Sequence, residues 1–461
     1  MSENTPLIFT NNISNNLQDD CACPDISFES KLPTNIPNVI HQTLKPVQCT
    51  QLPKNFHLLF NPLAPSNPNI LNQPAWQRYQ TFTQQPQLLS QPIDYQLARQ
   101  RLITPANQKV TITQPVSDSL TVWLNMTNAC NLECTYCYVH KTAEQMTEKT
   151  GKLAIDNVIS YALKKQFKQL KLKFAGGEPL LNFKQIQTLY HYAQQLTQQH
   201  NISLQAVILS NGTLLTETVA NWIKNNHVDL MISVDGLGKI HDKQRPAKNG
   251  QSSFSLIEHN LTHYLLPLDI KPTISVTLTQ QNAETLAETV EWIVTQDLPL
   301  SLNFYRQNAQ ACDETLKLEE TQIIENIRAA YEVIEHHLPY YSHSLANNLL
   351  DRVYAHAHTH TCGVNQNYLV VTHTGEFRQC HMQLNQQTPV QLIQNLSVNE
   401  KTDCRGCAFR YYCTGGCPLE TFHHTGHWDV KSPHCTIYKT LYPALLRLEG
   451  LRLLKSKNVL F

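Results

Sequence analysis

The chain has 461 residues with 36 basic and 36 acidic side chains, and this balance gives no electrostatic reason to expect nucleic acid or an anionic membrane as partner. Its length predicts two to four domains, because single cores stop growing well below it. No apolar run reaches about 18 residues, which argues against a membrane span. The opening MSENTPLIFTNNISNN lacks the basic and apolar segments of an export signal, so a cytoplasmic protein is expected.

In chain order, residues 1–30 are polar and read as a disordered tail. Residues 31–112 are rich in Pro and Gln but contain structured pieces. NFHLLFNP and NILNQ read as short strands around a turn; PAWQRYQTFTQQ and IDYQLARQRLI read as two helices. From residue 113 to about 340 the pattern is strand then helix, six times over. The strands are SLTVWLNM, KLKFA, LQAVILS, VDLMISVD, PTISVTLT and LSLNFY. Repeated strand–helix units predict an α/β fold with a parallel sheet and right-handed crossovers. Six units are too few for the eight-fold closed barrel, so an open partial barrel is expected, with ligands at the carboxyl ends of the strands. Residues 341–461 start with a predicted helix, SLANNLLDRVYAH, become loop- and cysteine-rich, and end in the helix TLYPALLRLEGLRLL. Little regular structure among many cysteines suggests a domain organised around metal.

Fourteen cysteines are many for a chain without an export signal, and disulfides are rare in the cytoplasm. Cys130, Cys134 and Cys137 form one group; Cys362, Cys380, Cys404, Cys407, Cys413, Cys417 and Cys435 form another. Cys21, Cys23, Cys49 and Cys312 stand outside both. The first group reads C-x3-C-x2-C in the loop after the first barrel strand. Three thiolates can hold three irons of a cubane and leave the fourth iron open, since full ligation takes four cysteines. A zinc knuckle with a distant fourth ligand is the plainer alternative.

This spacing at this position resembles the radical SAM superfamily. The resemblance implies a [4Fe–4S] cluster on Cys130, Cys134 and Cys137, with Tyr136 against the adenine of S-adenosylmethionine. It extends to AGGEPLL, where Gly176, Gly177, Glu178 and Pro179 match the motif that contacts the methionine amino group. Ser210, Asn211 and Gly212 match a polar segment that meets the ribose or carboxylate. In SVDGLGKIHDKQR, Ser233 and Asp235 are expected to face the cofactor and Arg245 to pair its carboxylate; an ordinary turn and a solvated arginine are the plainer alternative. The implied chemistry is one-electron cleavage of S-adenosylmethionine to a 5′-deoxyadenosyl radical, with a flavodoxin or ferredoxin as reductant.

The second group, Cys362-x12-Gly375-x4-Cys380 followed by Cys404-x2-Cys407-x5-Cys413-x3-Cys417-x17-Cys435, resembles the SPASM domain, which carries two auxiliary [4Fe–4S] clusters. By that resemblance Cys404, Cys407, Cys413 and Cys435 hold the outer cluster. Cys362, Cys380 and Cys417 hold the inner one, which is left one protein ligand short. Residues 31–112 resemble the RiPP recognition element, a small winged-helix module that takes a leader peptide as an added strand; a structural cap is the alternative. Together these imply a maturase of a ribosomally made precursor peptide, forming a crosslink or thioether, epimerising a residue or excising backbone. The expected partners are that precursor and, as a further option, a separate peptide-binding protein. A sulfatase-maturase-like enzyme is the second reading, weakened by His381 where those enzymes carry a catalytic Asp. An Fe–S electron carrier or binding scaffold is the third. Tyr305, Arg306 and His381 are placed near the substrate without a catalytic role.

Overall fold

A computed structural model describes residues 5–10, 36–37, 39–43, 48–64, 67–107, 112, 117–307, 313–341, 343–345, 349–386 and 390–456. Cys21, Cys23 and Cys312 lie outside them, as does most of the expected tail. Within that tail, however, β1 (Ile8–Thr10) is a strand. It pairs antiparallel with β5 (Asn69–Leu71) and so extends the edge of that sheet.

The N-terminal unit also contains β2 (His41–Thr43), β3 (Gln48–Leu52), β4 (Phe56–Phe60), α1 (Gln73–Gln84), α2 (Pro92–Arg99) and β6 (Ile103–Pro105). Its main sheet has the order β1-β5-β4-β3. Alternation along FHLLF decides what each face covers. Leu59 and Leu71 join Tyr79, Phe82 and Leu97 of the two helices. Phe56, Leu58 and Phe60 join the main core with the C-terminal helix. Asn72 caps α1 by accepting from the Ala75 amide at 3.1 Å, ahead of Pro74 in the first turn. The expected second helix stops at Arg99, and Ile103 opens β6 instead.

The large sheet holds β7 (Ser119–Thr127), β8 (Gln169–Gly176), β9 (Ser203–Ser210), β10 (Asp229–Ser233), β11 (Thr273–Leu278) and β12 (Leu300–Phe304), each a parallel neighbour of the next. Between them run α3 (Glu148–Lys164), α4 (Phe183–Gln199), α5 (Glu217–Asn226), α6 (Lys239–Gln244), α7 (Ser253–Asn260) and α8 (Leu286–Thr295), and α9 (Glu320–His337) follows β12. The six-unit partial barrel is therefore observed. Its alternation has a consequence for the interior. Leu120, Val122 and Leu124, Leu170, Leu172 and Phe174, and Ile274, Val276 and Leu278 all belong to the core that contains the helices. The intervening Trp123, Ala175, Ser275, Thr277 and Asn303 turn the other way and line an interior cavity.

Two further strands extend this sheet beyond the six. β13 (Tyr368–Val371) pairs parallel with β7, and β14 (Phe377–Arg378) pairs antiparallel with β13. This hairpin ties the cysteine-rich region to the strand that feeds the first cysteine loop. The expected helix over SLANNLLDRVYAH is not formed among the described residues, which are bends and turns there. Asp351 and Arg352 are buried as charged groups instead of lying along a helix face. The chain closes with α10 (Arg410–Cys413), α11 (Pro418–Thr425) and α12 (Cys435–Ser456). Among the described residues no helix is long and apolar enough to cross a membrane.

Candidate active site

A cavity of about 210 Å³ opens at the carboxyl ends of the parallel strands. Cys130, Cys134 and Cys137 all face it. Their loop is held from three sides. Its backbone pairs with the segment after α6, with Glu133 N–H donating to Pro246 O at 2.8 Å and Thr135 N–H to Gln244 O at 3.0 Å. The Lys141 ammonium donates to Leu132 O at 2.5 Å. The end of β8 presses against the loop's start: a Cβ on Gly177 would lie 2.2 Å from the Ala129 carbonyl oxygen. On Gly176, at φ +138°, it would lie 2.3 Å from that of Thr127. These glycines line the cavity, and they also let β8 reach the backbone of the cysteine loop.

Burial pushes the Cys134 thiol up to about 12, against the opposing pull of Arg245. Such thiols need a cation or a metal to ionise. Donors are already aimed at two of them: Asn211 Nδ2 lies 3.8 Å from Cys130 Sγ, and Arg245 Nη1 lies 3.9 Å from Cys134 Sγ. Three thiols on one wall, with amide and guanidinium donors behind them, fit an iron–sulfur cluster. Among the described residues no three His, Cys, Asp or Glu groups converge as a single metal ion requires. A cubane places each thiolate on a different iron, so its ligands stand further apart.

Of the residues expected at the cofactor, Tyr136, Gly176, Gly177, Ser210, Asn211, Ser233 and Arg245 line this cavity. The other two, Asp235 and Glu178, are not among the residues lining it. Asp235 is fully buried. It accepts from Arg245 Nε at 2.5 Å, from the Thr277 amide at 2.7 Å and from the Tyr136 hydroxyl. Its carboxylate is thus engaged by three donors of the protein. Arg245 in turn lies over the Tyr136 ring, 5.2 Å from its centroid. Glu178 is also fully buried. It accepts from the Leu180 amide at 3.0 Å, the Ser210 hydroxyl at 2.9 Å and the Asn211 amide at 2.7 Å. Burial pushes its carboxyl up to about 7 despite those donors. These contacts hold the Ser210–Asn211 turn against it.

Tyr305, Arg306 and His381 line the same cavity with Met382. His381 stacks on Trp123 at 4.7 Å, and its Nδ1 lies 3.2 Å from the Tyr368 hydroxyl. Burial pushes its imidazole down to about 3, which keeps it neutral. Arg306 pairs with Asp351 and stands 3.5 Å from Glu420. Sequence reasoning missed Trp123, Leu209, Met231, Ser275, Thr277 and Asn303 as cavity residues. For Ser275, Thr277 and Asn303 the polar interruption of the apolar run at every second position carried that signal; Trp123, Leu209 and Met231 are apolar and gave none.

The cysteine-rich region separates into two sets. Cys404, Cys407, Cys413 and Cys435 line one small pocket together. Cys362, Cys380 and Cys417 pack in one cluster with Trp123 and Ala175, behind His381 and Met382. Cys49 is exposed on β3, far in sequence from either set.

Comparison with known proteins agrees with this geometry. The radical SAM superfamily model matches residues 124–293, so the chain carries a radical SAM domain, and with it the expectation of S-adenosylmethionine and one [4Fe–4S] cluster. The chain is 37% identical over 172 residues to the uncharacterized protein MJ0907 of Methanocaldococcus jannaschii, covering 37% of this chain and 57% of that one. It is 27% identical over 226 residues to the Fe-coproporphyrin III synthase of Methanosarcina barkeri, covering 46% and 52%. It is 28% identical over 138 residues to the cysteine-type anaerobic sulfatase-maturating enzyme of Clostridium perfringens (strain 13 / Type A), covering 28% and 36%. The matches thus span between about a third and just over half of these relatives. In fold, it resembles native anSMEcpe solved with bound AdoMet and Cp18Cys peptide, at TM-score 0.55 and 17% identity over 72% of this chain and 99% of that one. Residues 124–293 thus match the radical SAM superfamily, and the fold around them resembles that of anSMEcpe.

Proposed function

We propose that this protein is a radical SAM enzyme that modifies a peptide, specifically a ribosomally made precursor. The observation that carries the reading is a single cavity lined both by Cys130, Cys134 and Cys137 and by Tyr305, Arg306, His381 and Met382. When bound there, the cluster and S-adenosylmethionine supply a 5′-deoxyadenosyl radical. The chain's own contribution is to bind, orient and shield. Asn211 and Arg245 donate toward the cysteine sulfurs, and the Trp123, Leu209 and Met231 walls exclude water. Neutral His381 and paired Arg306 offer polar contacts to a substrate side chain. A flavodoxin or ferredoxin serves as the electron donor.

The separate cysteine sets support two auxiliary clusters. The outer is on Cys404, Cys407, Cys413 and Cys435; the inner is on Cys362, Cys380 and Cys417, with its fourth position open to substrate or filled by a residue outside the described ones. The N-terminal unit supports peptide capture through β3, an exposed edge strand whose outer side can accept an added strand. The sulfatase-maturase-like reading is second, supported by the relatedness to the Clostridium perfringens enzyme.

The test is anaerobic reconstitution, then incubation with S-adenosylmethionine, dithionite and a candidate precursor. The reading expects 5′-deoxyadenosine, about twelve irons per chain if all three clusters assemble, and a mass change in the peptide. A peptide from a sulfatase modified in its place would favour the second reading. No 5′-deoxyadenosine from a fully iron-loaded protein would leave only a scaffold. Proline substitutions at Thr50 and Gln51 test the edge strand, because whichever amide points outward is then lost and precursor binding should weaken.

A further inference from the structure

One lysine is buried between the two auxiliary cysteine sets. Lys401 is 1% exposed, and its ammonium makes a single hydrogen bond among the described residues, to the Thr414 carbonyl at 2.9 Å. Its acidic sequence neighbours Glu400 and Asp403 are exposed and do not pair with it. The charges that act on it belong to Cys404 and Cys413 of the outer set and to Cys417 and Cys362 of the inner set.

The backbone is shaped around this side chain. Thr414, Gly415 and Gly416, which link Cys413 to Cys417, are all left-handed, with φ of +47°, +80° and +69°. A Cβ on Gly415 would stand 2.8 Å from Lys401 Cδ and 2.9 Å from its Nζ. A Cβ on Gly416 would stand 2.5 Å from Ser432 Cβ. The Thr361 hydroxyl, beside Cys362, donates to the Thr414 and Gly416 carbonyls at 3.2 and 2.8 Å. The slot that holds the ammonium is therefore built from both cysteine sets.

An unpaired buried ammonium is costly, by several kcal/mol. Burial lowers the pKa of this one, and the surrounding cysteines oppose that. A lysine that served only to bond Thr414 would not need so tight a slot near thiols of both sets. Ligated thiolates supply the missing negative charge. A fixed cation close to a cluster, in a medium of low dielectric, favours the reduced and more negative state.

We infer that Lys401 is the shared counter-charge of the two auxiliary clusters, a positioning residue that raises the reduction potential of both. This rests on the two-cluster reading of the cysteine-rich region. The test uses the full-length, anaerobically reconstituted protein, and iron is counted on the unaltered chain first. If that chain holds iron for one cluster only, the two-cluster reading fails, and this inference with it, before any variant is made. If three clusters are present, redox titrations followed by electron paramagnetic resonance compare it with Lys401→Gln and Lys401→Arg. In Lys401→Gln the reduced-to-oxidised ratio of both auxiliary clusters at a fixed potential should fall about tenfold, which is about 59 mV for a one-electron couple. The radical SAM cluster should not shift, and Lys401→Arg should stay near the unaltered protein. Loss of auxiliary iron in Lys401→Gln with retention in Lys401→Arg would also support the inference. Intact auxiliary clusters with unshifted potentials in Lys401→Gln would overturn it. So would loss of iron in both variants, which would make the residue a space-filler.

Discussion

The Arg245 guanidinium donates to Asp235 at 2.5 Å, so the arginine expected to pair a cofactor carboxylate is already paired by the protein. The pair is buried, and the same carboxylate receives the Thr277 amide and the Tyr136 hydroxyl. It fixes both cavity-lining side chains, leaving Nη1 of the guanidinium aimed at Cys134.

Removing one partner of such a pair strands the other charge. Asp235→Ala should destabilise the protein by about 3–5 kcal/mol, read as a lower denaturant midpoint, and should weaken S-adenosylmethionine binding in equilibrium dialysis. A variant with unchanged midpoint and affinity would show that Arg245 and Tyr136 do not depend on Asp235.

Glu178 gives a pH dependence. Burial raises its carboxyl from 4.5 to about 7 in the folded chain. A raised folded value means that the native state binds the proton more tightly than the unfolded chain does. The stability contribution is full below about 4.5 and is lost as pH rises through about 7. At about 1.4 kcal/mol per unit, the loss is on the order of 3 kcal/mol. Denaturant midpoints at pH 6 and pH 8 should fall with rising pH in the unaltered protein. They should fall less steeply in Glu178→Gln, which cannot titrate. Equal slopes in the two proteins would refute this assignment.

Much of this was legible in the residues themselves. The six strand–helix units follow from apolar periodicity, and the three-cysteine loop follows from spacing at the end of SLTVWLNM. What periodicity could not reveal was where buried charge would go. Asp235 and Glu178 read as ligand contacts because they sit in motif positions. Their carboxylates are engaged within the protein by the nearby Leu180 amide and by donors from β11 and the Ser210–Asn211 turn, which are remote in sequence. The SLANNLLDRVYAH segment has a helical apolar pattern, yet the ionic pairing of Asp351 with Arg306 and the packing of Leu349 and Leu350 hold its end as turns. β13 and β14 were missed because each is short: the edge of β7 makes a strand of β13, and β13 in turn of β14.

Gly177 tests the close approach of β8 to the cysteine loop. The atoms a methyl group would meet are the backbone oxygens of Ala129 and Asn128, at 2.2 and 2.8 Å, which cannot rotate away as a side chain could. Gly177→Ala should cost about 1–3 kcal/mol through overpacking. It should also displace the loop that carries Cys130, reducing iron uptake at that site and 5′-deoxyadenosine formation together. Normal iron content and turnover would mean that the loop can shift without harm.

Phe60 tests whether the N-terminal unit is an independent module or part of the core. Its ring lies 5.2 Å from Phe409, 5.2 Å from Tyr412 and 5.7 Å from Tyr442, and it is 1% exposed. Asn67 adds a hydrogen bond to the Tyr412 hydroxyl at 2.5 Å. Phe409 and Tyr412 lie between Cys407 and Cys413, so the sheet packs directly on the outer cysteine set. Phe60→Ala should cost about 3–5 kcal/mol, as expected for a large aromatic removed from a closed core. Because the cavity falls at the contact of the two units, the N-terminal segment should become more sensitive to protease and the outer-set iron should be lost faster to a chelator. If proteolysis increases while iron loss stays at the unaltered rate, the contact serves attachment alone; if neither changes, the aromatic cluster is not what joins the units.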